Sequence, residues 1–155
     1  MTQPESPTTP EVLPVDVMEV FGYRGIGALA ERMGIEFLEL TPERSVARMP
    51  VEGNTQPLGL VHGGAYVVLA ESLGSTAANL HAGPTKIAVG IEINASHSGS
   101  ATEGWVTGVC TAVHLGRTLV THEIAVSDER GRRLSTIRMT NFIKDRPEGQ
   151  VFESK

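Results

Sequence analysis

The sequence predicts an α+β domain in which an antiparallel sheet of about five to six strands wraps one long central helix. Two observations lead there. Residues 61–80 contain no proline and place Ala65, Val68, Leu69, Leu73, Thr76, Ala77 and Leu80 at helical spacing, the mark of a mainly apolar, well-buried helix. Four segments rich in Val, Ile and Thr follow, at about 86–97, 104–115, 118–128 and 132–144, separated by glycine or charged turns, and such composition favours strands. Long strands after a single helix imply a sheet folded over it.

Each element has a local reason. Residues 1–14 hold four prolines and almost no large apolar side chains, so a disordered or loosely draped tail is expected. Val15–Met33 suggests a short helix weakened by Gly22, Gly25 and Gly27. Gly34–Leu40 and Arg44–Val51, joined at Thr41-Pro42-Glu43, read as a strand pair. Residues 52–60 are loop by their Gly, Asn and Pro content. The sequence His81-Ala82-Gly83-Pro84 ends the long helix, because glycine takes a left-handed cap and proline blocks continuation. Ser127-Asp128-Glu129-Arg130-Gly131 reads as a hairpin connection, and residues 147–155 as a flexible end, leaving one domain over 15–146.

Composition narrows the function. A length of 155 residues suits one domain with a single core. The net charge of -5 sets nucleic-acid binding behind other classes, although a local cluster of cations or helix-end amides still holds an anion on an acidic protein. A lone cysteine, Cys110, rules out an internal disulfide and gives no support for secretion. No stretch approaches the roughly 20 apolar residues that span a bilayer, and Met1–Pro14 lacks the basic and apolar regions of a signal peptide. The expectation is a soluble, cytoplasmic protein without nucleic-acid or membrane partners. No metal is expected, because no His, Cys, Asp or Glu cluster shows ligand spacing, and no cofactor is expected either.

The stretch that carries chemistry runs from Gln56 to Ser75. A loop leads into the helix through His62-Gly63-Gly64. Glycines let a ligand approach the backbone, and the first helical amides lack intrahelical partners at the positive end of the dipole. Together they form a potential oxyanion site, although glycines at a helix start more often serve packing alone. Glu71 stands within an otherwise apolar helix. Its plain reading is a residue on the helix's one wet stripe; its functional reading is a carboxylate acting as general base or nucleophile. Ser75, one turn on, shares its face. Gly63 and Glu71 are eight residues apart, so their backbones stand roughly 12 Å apart along the axis. Both cannot flank one carbonyl at contacts of about 3 Å. A reaction that uses both therefore predicts an oligomer with its site at the interface.

The run from Leu58 to Ser75, with Gly-Leu-Val-His-Gly-Gly and then Leu-Ala-Glu, resembles hotdog-fold acyl-CoA thioesterases of the actinobacterial 4-hydroxybenzoyl-CoA type, and still more the 1,4-dihydroxy-2-naphthoyl-CoA thioesterases of menaquinone biosynthesis. The likeness continues through Val89–Ala95, Gly108-Val109-Cys110 and His114-Leu115-Gly116 and covers roughly residues 34–144. It implies that Glu71 is the catalytic carboxylate, as nucleophile or base. It implies further that the Gly63 N–H polarises the thioester carbonyl with help from Gln56, that His62 positions the thioester or the loop, and that Ser75 is linked to the hydrolytic water. An acid of the Glu type, where phenylacetyl-CoA-type relatives use Asp, points to an aroyl-CoA substrate. Coenzyme A contacts are implied at His97, Ser98 and Ser100, although Gly99 stands where several relatives carry Arg, and at His114 and Arg117. The expected assembly is a homo-oligomer, a dimer of dimers.

Several residues have plainer readings. Arg117 is equally a solvated turn residue, His114 and His122 read as satisfied strand histidines, and Cys110 as a small buried residue. Trp105 reads as packing before adenine stacking, and Tyr66 as core or acyl-pocket lining. Three rival functions stay open: a hotdog hydratase or dehydratase, a non-catalytic acyl-CoA-binding or regulatory protein, and a structural oligomer. The last leaves Gln56, His62, Gly63 and Glu71 without a purpose.

Overall fold

The computed structural model describes residues 25–147. It opens on a one-turn helix, α1 (Ala28–Arg32), followed by β1 (Glu36–Leu40) and β2 (Arg44–Pro50). A loop leads to the long helix α2 (Gly63–Ala82), and the chain closes with β3 (Lys86–His97), β4 (Trp105–Leu115), β5 (Leu119–Asp128) and β6 (Arg133–Asp145). The strand pair, the long helix and the four long strands stand where composition and periodicity place them, with ends shifted by two residues at most. Of the helix expected over Val15–Met33, only Ala28–Arg32 is helical within the described residues. The remainder before Gly25, the proline-rich tail and residues 148–155 lie outside them.

All pairings are antiparallel, in the order β1-β2-β4-β5-β6-β3. The six strands form one sheet around α2, whose buried face runs through Ala65, Tyr66, Leu69, Ala70, Leu73, Ala77 and Ala78. Against it the strands present Met49, Val106, Cys110, Ile124, Ile137 and Met139, each at most 1% exposed. Burying each of the large aliphatic side chains contributes about 1.5–3 kcal/mol. A smaller cluster of Ala78, Ala88, Val120 and Ile143 closes the far end of the helix. The helix stops at Gly83, whose φ of 78° favours glycine, and the Gly83 N–H bonds the Asn79 carbonyl.

One contact fixes how closely helix and sheet approach. A methyl group built on Gly74 would lie 2.2 Å from Met139 Sδ, so any larger residue forces the Met139 side chain or the helix to shift at this point. The pairing register shifts at four places, among them β3 between Gly90 and Glu92 and β4 between Ala112 and His114. Among the described residues, no helix is long and apolar enough to cross a membrane.

Candidate active site

The loop before α2 is fastened from several sides. Asn54 Nδ2 donates to the carbonyls of Met33 (2.8 Å) and Pro50 (2.9 Å), the His62 N–H to the Asn54 carbonyl (2.9 Å), and the Val61 N–H to the Ala101 carbonyl (3.0 Å). His62 thereby becomes the N-cap. Its extended backbone (φ -65°, ψ 132°) precedes the helix, and its Nδ1 accepts from the Gly64 N–H at 2.9 Å. A neutral His62 must then carry its proton on Nε2. The His62 carbonyl takes the Ala65 N–H. The Gly63 N–H, at the positive end of the helix dipole, thus remains without a partner among the described residues. Gln56 folds its amide oxygen onto the Leu58 N–H of its own loop, so the Nε2 end is the part left to donate outward.

His97, the last residue of β3, sits on this helix start. A methyl group on Gly63 would meet its Nε2 at 2.9 Å. Its Nδ1 lies 2.9 Å from Ser135 Oγ, and that hydroxyl donates to the Ser96 carbonyl at 3.3 Å. With the serine proton committed to Ser96, His97 Nδ1–H donates to Ser135 and Nε2 stays an acceptor beside Gly63. The His97 ring also lies 5.5 Å from that of Tyr66 at 47°. Tyr66 is buried, and burial above all pushes its phenol above the ordinary value; its Oη lies near the Ala101 amide without a hydrogen bond to it. Gln56, His62, Gly63 and His97 are therefore gathered around one end of α2.

Glu71 and Ser75 lie along the same helix, away from that end. Glu71 is exposed in the single chain and has neither an ion pair nor a hydrogen bond to any described residue. Its Oε1 lies over β3, 3.5 Å from where a methyl group on Gly90 would stand. Ser75 Oγ accepts from Asn141 Nδ2 at 3.4 Å. Asn141 is fully buried and its Oδ1 has no partner. Sequence reasoning missed Asn141, although it left a signal. In β6 the residues Ile137, Met139, Asn141 and Ile143 alternate onto the buried face, and Asn141 is the polar residue in an apolar alternation.

The residues expected to contact coenzyme A divide into two groups. His97, Ser98 and Ser100 lie by the helix start, where the Ser98 and Gly99 amides donate to the Leu134 carbonyl. His114 and Arg117 lie at the β4–β5 turn, beside the other end of α2, where His81 Nε2 stands 3.0 Å from the Gly116 carbonyl. One chain does not bring the two groups together. Where Gly99 offers no cation, the β5–β6 connection supplies Arg132, whose Nη2 donates to the Ser100 carbonyl at 2.8 Å, a neighbour the sequence did not suggest.

The remaining candidates resolve simply. Trp105 has the Arg48 guanidinium 4.3 Å from its ring centroid, and Arg48 is paired with Glu36 at 2.7 Å. Cys110 is buried, and burial pushes its thiol up to about 12. His122 is half satisfied rather than fully so: Nε2 bonds the Pro42 carbonyl at 2.9 Å, while Nδ1 is buried without a partner. Among the described residues no three His, Cys, Asp or Glu side chains gather closely enough to hold a metal ion.

Comparison with known proteins gives this geometry its context. Residues 58–135 match the family model described as the thioesterase superfamily. The chain is 42% identical over 127 residues to the proofreading thioesterase EntH of Cronobacter turicensis, covering 81% of this chain and 93% of that protein. It is likewise 42% identical over 127 residues to the 1,4-dihydroxy-2-naphthoyl-CoA hydrolase of Escherichia coli, with the same coverage of 81% and 93%. Among solved structures, a mutant thioesterase from Pseudomonas aeruginosa superposes with a TM-score of 0.77 at 36% identity, covering 85% of this chain and 96% of that one. The glycine-led helix, the sheet folded around it and these relatives agree, and the chain belongs to the thioesterase superfamily as a thioester hydrolase of the hotdog fold.

Proposed function

We propose that the protein hydrolyses an aroyl-coenzyme A thioester, with 1,4-dihydroxy-2-naphthoyl-CoA the first candidate, at sites shared between two copies of the chain. The observation that carries the reading is the separation of two half-sites on one unbroken helix. The free Gly63 amide with Gln56 lies at its start, and the unpaired Glu71 carboxylate lies two turns on, roughly 12 Å along the axis. Neither half completes the chemistry alone. A second copy supplies the missing half of each, and it would also join the two groups of coenzyme A residues that one chain keeps apart. The free edge of β3, twelve residues long and ending the sheet, offers backbone for such a partner. Two such pairs give the proposed dimer of dimers. A coenzyme A substrate places this work in the cytoplasm.

In the proposed reaction the Gly63 N–H and Gln56 Nε2 donate to the thioester oxygen and stabilise its negative charge. Glu71 of the other copy either attacks the carbonyl carbon, giving an anhydride that water opens, or removes a proton from water as it attacks, with Ser75 placing that water. Either route breaks the C–S bond and releases the acid and coenzyme A. The thiolate leaves readily because its conjugate acid is far stronger than an alcohol.

The test is thiol release from a panel of benzoyl-, 1,4-dihydroxy-2-naphthoyl- and hexanoyl-CoA. Turnover of an aromatic ester well above the aliphatic one is expected. A folded protein that releases no thiol from any of them would overturn the reading. The shared site has its own check: co-expressed Glu71→Ala and Gln56→Ala chains should regain activity that each lacks alone, because one of the two sites of the mixed pair keeps both intact halves.

A further inference from the structure

We propose that Asn141 is a positioning residue for hydrolysis, holding the Ser75 hydroxyl so that its proton faces the Glu71 carboxylate and the attacking water. This rests on the roles of Glu71 and Ser75 proposed above. Asn141 projects from β6 beneath α2, fully buried, and its Nδ2 donates to Ser75 Oγ at 3.4 Å. A serine hydroxyl that accepts one bond keeps its single proton to donate elsewhere. The elsewhere is defined by Gly90 of β3. A methyl group there would stand 3.5 Å from Glu71 Oε1 and 3.9 Å from Asn141 Nδ2, so carboxylate and amide converge on the same glycine. Glu71 and Ser75, one turn apart, share the helix face above it.

The second observation is energetic. Asn141 Oδ1 is buried with no partner, and an orphaned buried carbonyl is a stability cost. The other buried asparagine of the described residues, Asn54, uses its amide on two carbonyls to fasten the loop before α2. Asn141 has one long bond, made to a residue of the proposed site. A side chain kept for stability alone would be better replaced by an apolar one of similar size. The adjoining inward positions, Met139 and Ile143, show that this face accepts such residues. The proposed service to Ser75 supplies the reason for the amide.

The test compares Asn141→Leu with the unaltered protein on whichever ester of the panel it turns over fastest. Leucine removes the donor and the orphaned oxygen together, so Tm should hold or rise. The expected result is a kcat lower by about tenfold or more with KM changed less than about twofold. Ser75→Ala should cost less in the Asn141→Leu background than in the unaltered protein, because both changes break one contact. Asn141→Thr, whose branched side chain suits a strand and keeps a hydroxyl donor, should recover part of kcat, and it carries the test if the leucine variant does not fold. Unchanged kcat in a folded Asn141→Leu variant, while Glu71→Ala is inactive, would overturn the role of Asn141 and leave the thioesterase reading standing. Inactivity of the unaltered protein on every ester would overturn both.

Discussion

The two stretches of α2 that face the proposed chemistry are built in opposite ways. At its start most polar side chains are tied down: His62 caps Gly64, His97 is held through Ser135 to Ser96, and Asn54 fastens the loop to two carbonyls, while the Gly63 N–H and the buried Tyr66 Oη lack partners. Around Glu71 they are not: the carboxylate has no partner, Asn141 Oδ1 is orphaned, and Ser75 is held by one long bond. The first region resembles a preorganised donor, whose value depends on not moving. The second leaves the exposed Glu71 carboxylate unsatisfied in the single chain, as expected of a surface completed by substrate and a second copy, above an orphaned oxygen buried at Asn141. The helix start is thus more firmly held than the stretch around Glu71.

The contrast can be broken most severely at Glu71. Glu71→Ala should lower kcat by orders of magnitude while Tm stays within a few degrees, because the carboxylate has no hydrogen bond or ion pair to a described residue to lose; thiol release and a thermal melt check the two halves. Near-normal turnover would sink its proposed role. Gly63→Ala attacks the rigid end instead. Its methyl group meets His97 Nε2 at 2.9 Å, and with that ring held by Ser135 either the ring or the helix start must shift. A loss of about tenfold or more in kcat/KM is expected, with little change in stability since alanine favours the helix.

Gly74→Ala tests packing beneath both regions. The new methyl group would overlap Met139 Sδ, and the strain should outweigh alanine's helical advantage, for a net loss of about 1–3 kcal/mol by denaturant unfolding. The smallest effect is expected at His122, on β5 opposite Met139. Burial first, with the charge of His81 adding to it and the bond to Pro42 opposing it, holds its imidazole below the ordinary value. The unfolded chain therefore binds more protons as pH falls below about 6.5, and stability drops from there toward the lowered native value. His122→Gln should flatten that acid limb. Equal slopes of Tm against pH between 7 and 5 in both proteins would show that His122 does not contribute to it.

Much of the molecule was legible before the structure. The long helix could be read because its apolar positions recur at helical spacing and Gly83-Pro84 closes it, and the four long strands because their composition and turns agree. The motif from Gln56 to Ser75 is contiguous in the chain, so its order along the loop and helix was readable as well. Asn141 was not found, because its meeting with Ser75 depends on the register of β6 beneath α2, a long-range fact no local window contains. The division of the coenzyme A residues was hidden for the same reason: His97 and Arg117 lie close in sequence, yet β4 carries the chain from one end of the helix to the other between them. The bulge beside Gly90 likewise has no local marker beyond the glycine itself.

The strand order carries a consequence for how the chain comes to be folded. β4, β5 and β6 pair in the order they are made and need only short hairpin closures. β2 and β3 are joined through α2 but lie on opposite flanks of that meander, so each must close a long loop before its contacts repay the entropy lost. The meander is thus the natural early unit, with α2 settling onto it as β2 and β3 dock. His97 and Gly90 both ride on β3, one of the two edge strands. Its docking completes the helix start and the floor beneath Glu71 in one event. Loosening of β3 would therefore disable the proposed site while most of the sheet survives, and amide exchange along β3 should quicken as activity fades.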